Sequence, residues 1–378
     1  MSRLPSVTTG RHACRACRGQ AGSVVLDLGW QPACDYFPPA DDPGPDANYP
    51  LQMWLCASCG LAQLMADPTV PEEPRGTEPA ALVVQAGDAV DQAARAGLLS
   101  PGGRVAEYGS PHGGSWLGLL ADRGLTPAPA SEPGEVVLDC FGLMHAADQA
   151  GALRARVDRV VRGGVLLLQY HSLAAIVGGG QWNALRHGHY AYYSTAALTG
   201  MLAALGFSPR TAWHFDLYGG TVLLAARSDA DAPGQPDPSV RRLMAHETSV
   251  GVRDPRVLAG LTSSAQAQAQ GLREYLVGER AAGRAVMGYG AASRAISLLR
   301  WARVDRTLLP AVVDASAAKQ GLRLPGTDIP IVSPTYLAVS EPLSVVLFLA
   351  DLLPEVRAAF PGVESAGGRW LPVEKLAS

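Results

Sequence analysis

Short apolar runs punctuated by glycine and proline set the pattern of this chain. Within the first 66 residues, "SVVLDLG" and "YPLQMWLC" read as strands. The segment "ADPTVPEEPRGTEPA" follows, rich in Pro and Glu, and reads as a linker. From about residue 80, "ALVVQAGDAVDQAARAGLL" has the spacing of an amphipathic helix. It leads into strand, glycine turn and helix at "PGGRVAEYGSPHGGSWLGLLADRGL". The strand "EVVLDCFGLM", the helix "DQAGALRARVDRVV" and the strand "VLLLQYHSL" come next. Such alternation predicts a parallel α/β sheet. The helix "TAALTGMLAALG" and two closing strands, "TAWHFDL" and "TVLLAARS", complete it. After the linker "SDADAPGQPDPS", a long helical region at 238–282 precedes a second α/β unit opening with "RAVMGYGAASRAISLL". The expected organisation is a small N-terminal unit at 1–70, a middle α/β unit at 80–230 and a C-terminal α/β unit at 238–378.

Composition narrows the partners. The 378 residues are 48% hydrophobic and 17% charged, enough for a sizeable core. A formal net charge of −3 argues against nucleic acid or an anionic membrane as the main partner. The opening residues lack the apolar stretch of a secretory signal, and no apolar run is long enough to span a bilayer. A cytoplasmic protein is expected.

Four of the six cysteines carry metal-ligand spacing. "CRAC" holds Cys14 and Cys17, and "CASCG" holds Cys56 and Cys59. Each CxxC turn aims two thiolates at one point, and two such turns complete a tetrahedral zinc site. Four sulfur ligands leave no open position, so the expected role is structural. Cys34 and Cys140 read as buried small residues.

Two glycine turns follow strands. The first holds Glu107, Gly109 and Gly113. The second holds Gly288, Gly290, Ser293 and Arg294, with Asp314 ending the next apolar run. Glycines there let a backbone approach a ligand at a helix N-terminus, although tight packing alone can demand them. A third candidate is "RHGHYAYYS" at 186–194.

In order, "CRAC", "LDLGWQPACDYF", "YPLQMWLCASCGLAQL", "EYGS", "RHGHYAYYS", "GYGAASR" and "VVDASAAKQGLRLPGTDIPIVSP" resemble the sugar C-methyltransferase family of deoxysugar biosynthesis. The resemblance covers nearly the whole chain. It implies a zinc-binding N-terminal domain, a middle domain of the S-adenosylmethionine (SAM) methyltransferase kind and a Rossmann-like C-terminal domain. It also implies a nucleotide-sugar substrate, a dTDP-sugar foremost. On that basis His189, His187 and Tyr192 are the expected catalytic residues, and Glu107, Gly109 and Gly113 the expected SAM-binding ones. Arg186, Tyr193, Gly288, Gly290, Arg294, Asp314 and Lys319 are expected on the substrate.

The departures from that family fall on the methyl-donor side. Pro111 and His112 replace an Asn-Asp pair in the cofactor loop. Only residues 126–134 separate the helix ending near Leu125 from the strand at Glu135, too few for a second strand ending in a ribose-binding acid. Only Glu132 offers a carboxylate there. The segment after the N-terminal unit lacks the family's tyrosine. In the stretch resembling Y-H-E-H-x-x-Y, Arg186 and Gly188 replace Tyr and Glu, while His187 and His189 remain. The expected chemistry is acid/base work by His189 at a carbon next to a carbonyl. Without a donor, the resulting enolate ends in epimerisation, isomerisation or dehydration. Two other readings stay open: a SAM-dependent C-methyltransferase with a trimmed pocket, and a non-catalytic nucleotide-sugar-binding relative. His112, His145 and His171 read as structural or solvated, with His112 and His171 near the cofactor cleft.

Overall fold

A computed structural model describes residues 12–42, 44–69, 78–110, 114–230, 235–338 and 343–376. The chain is α/β, built on three sheets. The N-terminal residues form an antiparallel meander of β1 (Gly22–Pro32), β2 (Asn48–Cys56) and β3 (Ala62–Leu64). Its buried side chains Leu26, Leu28, Met53 and Leu55 pack against Leu261, Leu272 and Leu299 of helices far along the chain. A bidentate ion pair reinforces that contact, with Arg323 Nη1 and Nη2 each 2.7 Å from an Asp46 carboxylate oxygen.

The central sheet contains β4 (Arg104–Tyr108), β5 (Thr126–Pro127), β6 (Gly134–Cys140) and β7 (Val160–His171), all parallel. Val136, Val137 and Leu138, then Leu166, Leu167 and Leu168, are buried on both faces, as the continuous apolar runs require. After β7 the chain leaves the sheet. β8 (Ala191–Tyr192) pairs instead with β3, Ala62 opposite Tyr192, and completes the small sheet. The central sheet closes with β9 (Phe207–Phe215) and β10 (Thr221–Ser228), both antiparallel to their neighbours. Its order is β5-β4-β6-β7-β10-β9.

The expectation of a missing second strand needs a correction in degree. A strand exists, but β5 is two residues long and pairs only with Arg104 and Val105. The helical region at 238–282 divides into Pro238–Val250, Pro255–Ala259 and Leu261–Ala281. Asp237 and Asp254 cap the first two through their carboxylates.

The C-terminal sheet is parallel throughout, from β11 (Ala285–Tyr289), β12 (Val312–Val313), β13 (Ile331–Val332), β14 (Leu343–Leu347) and β15 (Arg369–Pro372). Its order, β13-β12-β11-β14-β15, reverses direction between β11 and β14. The central sheet reverses between β4 and β6. Ligands of open α/β sheets gather at the carboxyl ends of strands beside such reversals.

Candidate active site and metal centre

Four sulfurs meet at the edge of the small sheet. Both knuckles end in a left-handed residue, Arg18 (φ 62°) and Gly60 (φ 77°), after a backbone bond back to Cys14 or Cys56. This turn brings the Cys14 and Cys59 Sγ atoms to 3.6 Å, and those of Cys17 and Cys56 to 3.6 Å. All four lie within 4.8 Å of one another. Zinc–sulfur bonds of about 2.3 Å in a tetrahedron require sulfurs roughly 3.8 Å apart, so the group fits zinc. The bond with Cys59 pulls the Cys14 thiol down to about 5 and pushes Cys59 up, so one thiolate is already favoured. With every position a sulfur, the metal here holds structure.

The two sheet reversals face one another across a cavity of about 270 Å³. From the central sheet it receives Ser110, Phe141, Met144 and His145, which follow β4 and β6. From the C-terminal sheet it receives Ala292, Ser293 and Arg294 after β11, and Leu349 and Asp351 after β14. Arg186, His189 and Tyr192 form a third wall, and Glu78, His171, Tyr218 and Lys319 add further polar groups.

Local chemistry dictates that third wall. Gly188 adopts φ 80°, a conformation that favours glycine, and its N–H donates to Asp67 Oδ2 at 2.6 Å. The turn brings the Gly188 carbonyl to 2.9 Å from His145 Nδ1. The rings of His145 and His189 meet edge to face, centroids 4.7 Å apart. Arg186 Nε donates to His189 Nε2 at 2.8 Å, while Nη1 reaches Ser293 Oγ at 2.5 Å and stands 3.9 Å from Asp35 Oδ1. Tyr192 OH accepts the Arg186 backbone N–H at 3.1 Å, and burial pushes its phenol up.

A buried brace holds His145. Asp139 Oδ2 pairs with Arg156 Nε at 2.5 Å, and Oδ1 accepts the Leu143 N–H at 3.0 Å. Gln149 Nε2 donates to the carbonyls of Leu143 (2.9 Å) and Ala146 (2.7 Å), and its oxygen accepts from Tyr193 OH. Gly142 must be glycine here, since a Cβ would lie 2.8 Å from the Gly109 carbonyl.

Cations gather at the C-terminal end. Arg294 stands over the Tyr218 ring at 5.7 Å, and desolvation lowers its pKa. Lys319 is buried with Nζ 3.0 Å from the Ala291 carbonyl. Burial, aided by Arg294, depresses His171 to about 3, so that ring stays neutral. Phe141 (φ 59°) and Tyr218 (φ 55°) both hold left-handed conformations at this cavity, rings 6.2 Å apart. Strain of this kind concentrates where a site is fixed by its surroundings.

Of the residues expected from the sequence, Arg186, His189, Tyr192, Arg294 and Lys319 come together at this cavity. The structure places the others elsewhere. His187 is buried, Nε2 3.3 Å from the Pro50 carbonyl. Tyr193 faces the central core. Asp314 spends its two oxygens on the Ala291 and Ser316 amides, shaping the turn after β12. Gly288 admits the close packing of Phe348 and Val312, and Gly290 takes φ 94°. Pro111, His112 and Gly113 lie outside the described residues, as do positions 72–77 of the tyrosine-free segment at 72–80. Sequence reasoning missed His145, Tyr218 and Asp351 as lining residues; only a tertiary turn brings them in.

The SAM side departs further. The Glu107 carboxylate accepts from Ser115 Oγ (2.6 Å) and the Trp116 amide (2.7 Å), and Gly109 does not line the cavity. Glu132, the acid that follows β5, is salt-bridged to Arg104 at 2.8 Å on the surface.

Comparison with known proteins matches two regions. A zinc binding domain matches residues 14–72, and a C-methyltransferase C-terminal domain matches residues 216–373. The C-methyltransferase NovU of Streptomyces niveus is 25% identical over 399 aligned positions, spanning 95% of this chain and 94% of that protein. This chain belongs to the C-methyltransferase family. Solved methyltransferase structures are similar over part of the chain. Magnesium protoporphyrin IX methyltransferase of Synechocystis PCC 6803, with bound S-adenosylhomocysteine, is 11% identical and has a TM-score of 0.29, covering 39% of this chain and 84% of that one. The CcbJ methyltransferase of Streptomyces caelestis is 14% identical with a TM-score of 0.27, covering 42% and 99%. No helix among the described residues is long and apolar enough to cross a membrane.

Proposed function

We propose that this C-methyltransferase relative binds a nucleotide-activated keto-deoxysugar, a dTDP-sugar foremost, and works by acid/base chemistry centred on His189 at a carbon next to the carbonyl. Use of SAM is weak or lost, and the enolate ends in epimerisation, isomerisation or dehydration. One observation carries this reading. The cavity keeps imidazoles and buried cations, while the donor side has a two-residue second strand and a Glu107 already bonded within its own turn. Arg294 and Lys319, near the N-terminus of the helix Ser293–Trp301, suit a diphosphate. Arg186, His189 and Tyr192 suit the sugar.

Calorimetric titration of the zinc-loaded chain separates this from donor-dependent methyl transfer. Binding of a dTDP-4-keto sugar, with no heat from SAM or S-adenosylhomocysteine, is the expected result. Micromolar binding of either donor form would instead favour a genuine SAM-dependent C-methyltransferase, the second reading. Family membership and the presence of Ser110 and Phe141 at the cavity speak for that alternative. Arg294→Met is expected to weaken dTDP-sugar binding about 10- to 100-fold, the value of a charge-assisted hydrogen bond. An unchanged dissociation constant would place the diphosphate elsewhere.

A further inference from the structure

Tyr218 brings to the cavity a hydroxyl that the fold itself does not use. Its backbone is left-handed (φ 55°), a conformation that disfavours a bulky residue, and the turn around it leaves little slack. The Gly219 and Gly220 amides bond back to the Asp216 and Leu217 carbonyls at 3.0 Å each. Thr221 Oγ1 donates to the same Leu217 carbonyl at 2.9 Å, and a side chain at Gly220 would collide with Ala175. The surroundings thus over-determine a strained residue and fix where its ring points. That ring is bounded by Phe141 at 6.2 Å, His171 at 6.4 Å and the Arg294 guanidinium at 5.7 Å. The Tyr218 hydroxyl has no hydrogen-bond partner among the described residues, and the side chain lines the cavity. A phenol packed this far in usually finds one. Beside it His171 Nε2 is also buried without a partner, a second unsatisfied polar atom at this end of the cavity. Burial raises the Tyr218 pKa, so the phenol keeps its proton at neutral pH and is a donor.

We propose that Tyr218 is a catalytic residue whose phenol donates a hydrogen bond to the keto oxygen of the sugar, on the reading above that His189 enolises a keto sugar. The proton next to the carbonyl passes to His189. The C–H electron pair becomes the enolate double bond, and the carbonyl π pair moves onto oxygen. The Tyr218 O–H keeps its proton and strengthens its hydrogen bond as charge builds on that oxygen. In epimerisation the His189 imidazolium then returns a proton to carbon. A donor aimed beforehand at the place where charge develops is worth far more than one that must reorganise, and the strained turn supplies that aim. A diphosphate held by Arg294 keeps the sugar within reach of the same ring.

The test is deuterium wash-in next to the keto group of dTDP-4-keto-6-deoxyglucose in D2O, followed by NMR with the zinc-loaded full chain. Tyr218→Phe keeps the ring and removes only the donor. It is expected to slow enzymatic wash-in by about 10²–10³-fold, with calorimetric binding of the sugar within about tenfold of wild type. Infrared difference spectra of the bound sugar add a readout that packing alone does not move. The carbonyl stretch is expected at lower frequency on the wild type than on Tyr218→Phe. Tyr218→3-fluorotyrosine keeps the ring and has a more acidic phenol, so it is expected to lower that frequency further. Wash-in slowed less than tenfold, binding weakened more than tenfold, or a carbonyl frequency indifferent to residue 218 overturns the proposal and leaves the enolisation reading standing. Absence of wash-in by the wild type sinks that reading and the proposal with it.

Discussion

Stripping zinc with a chelator, or replacing Cys56 by serine, is expected to unfold the small sheet and abolish sugar binding together. Structural zinc sites of four thiolates carry apparent binding energies of about 10–16 kcal/mol in small domains, and that energy is folding energy. The sulfur group connects the first residues of the sheet to β2, and β2 supports β3. β3 in turn holds β8, which places Tyr192 on the cavity wall. Losing the metal therefore removes a wall of the site as well as local structure. Calorimetric melting with and without chelator, alongside dTDP-sugar titration, reads both effects. Cys34→Ala and Cys140→Ala serve as controls, since these thiols lie outside the group. A chelated protein that still binds sugar would show that the sheet stands without its metal.

Asp139→Ala is expected to cost about 3–5 kcal/mol, because it strands the Arg156 guanidinium beneath the sheet. Both side chains are nearly inaccessible, with 8% and 1% of their surfaces exposed. Arg156 stacks 4.3 Å from the Tyr108 ring and cannot turn out to water without breaking that contact. The same carboxylate ties down the Leu143 amide, so the turn carrying His145 loosens as well. The double variant Asp139→Ala/Arg156→Met should recover much of the lost stability, since the unpaired charge is gone, while His145 stays poorly placed. Denaturant unfolding of the three variants checks this, and a loss below 1 kcal/mol in the single variant would contradict it.

What could be read from the sequence followed the physics of each element. Two CxxC turns specify their geometry within four residues each, so the sulfur group was legible. Runs such as "VLLLQYH" declare a strand buried on both faces, so the parallel cores were legible too. Residues 191 and 192 were not legible as a strand of the small sheet, because two residues have no period and their partner lies at Ala62. His145 escaped for a related reason. Nothing near it in sequence marks it, and only the carbonyl of Gly188 shows which nitrogen carries its proton. Asp314 misled, since a carboxylate ending a strand-like run suits a ribose as well as two backbone amides. Arg186 and Gly188 were seen as substitutions. Their consequence, a guanidinium seated between His189 and Ser293, depends on distances that no spacing rule supplies.

The pairing of Ala62 with Tyr192 also bears on how the chain is made. On a ribosome the two sulfur knuckles emerge early and can capture their ion, yet β3 waits with a bare edge while the central strands are synthesised. Exposed strand edges invite pairing between chains. A fragment ending before residue 190 is thus a candidate for self-association, and assembly of the small sheet becomes a late, long-range event that slows folding. The segment that finishes that sheet is the one carrying Arg186 and His189, so maturation of the fold and of the cavity wall arrive in a single step.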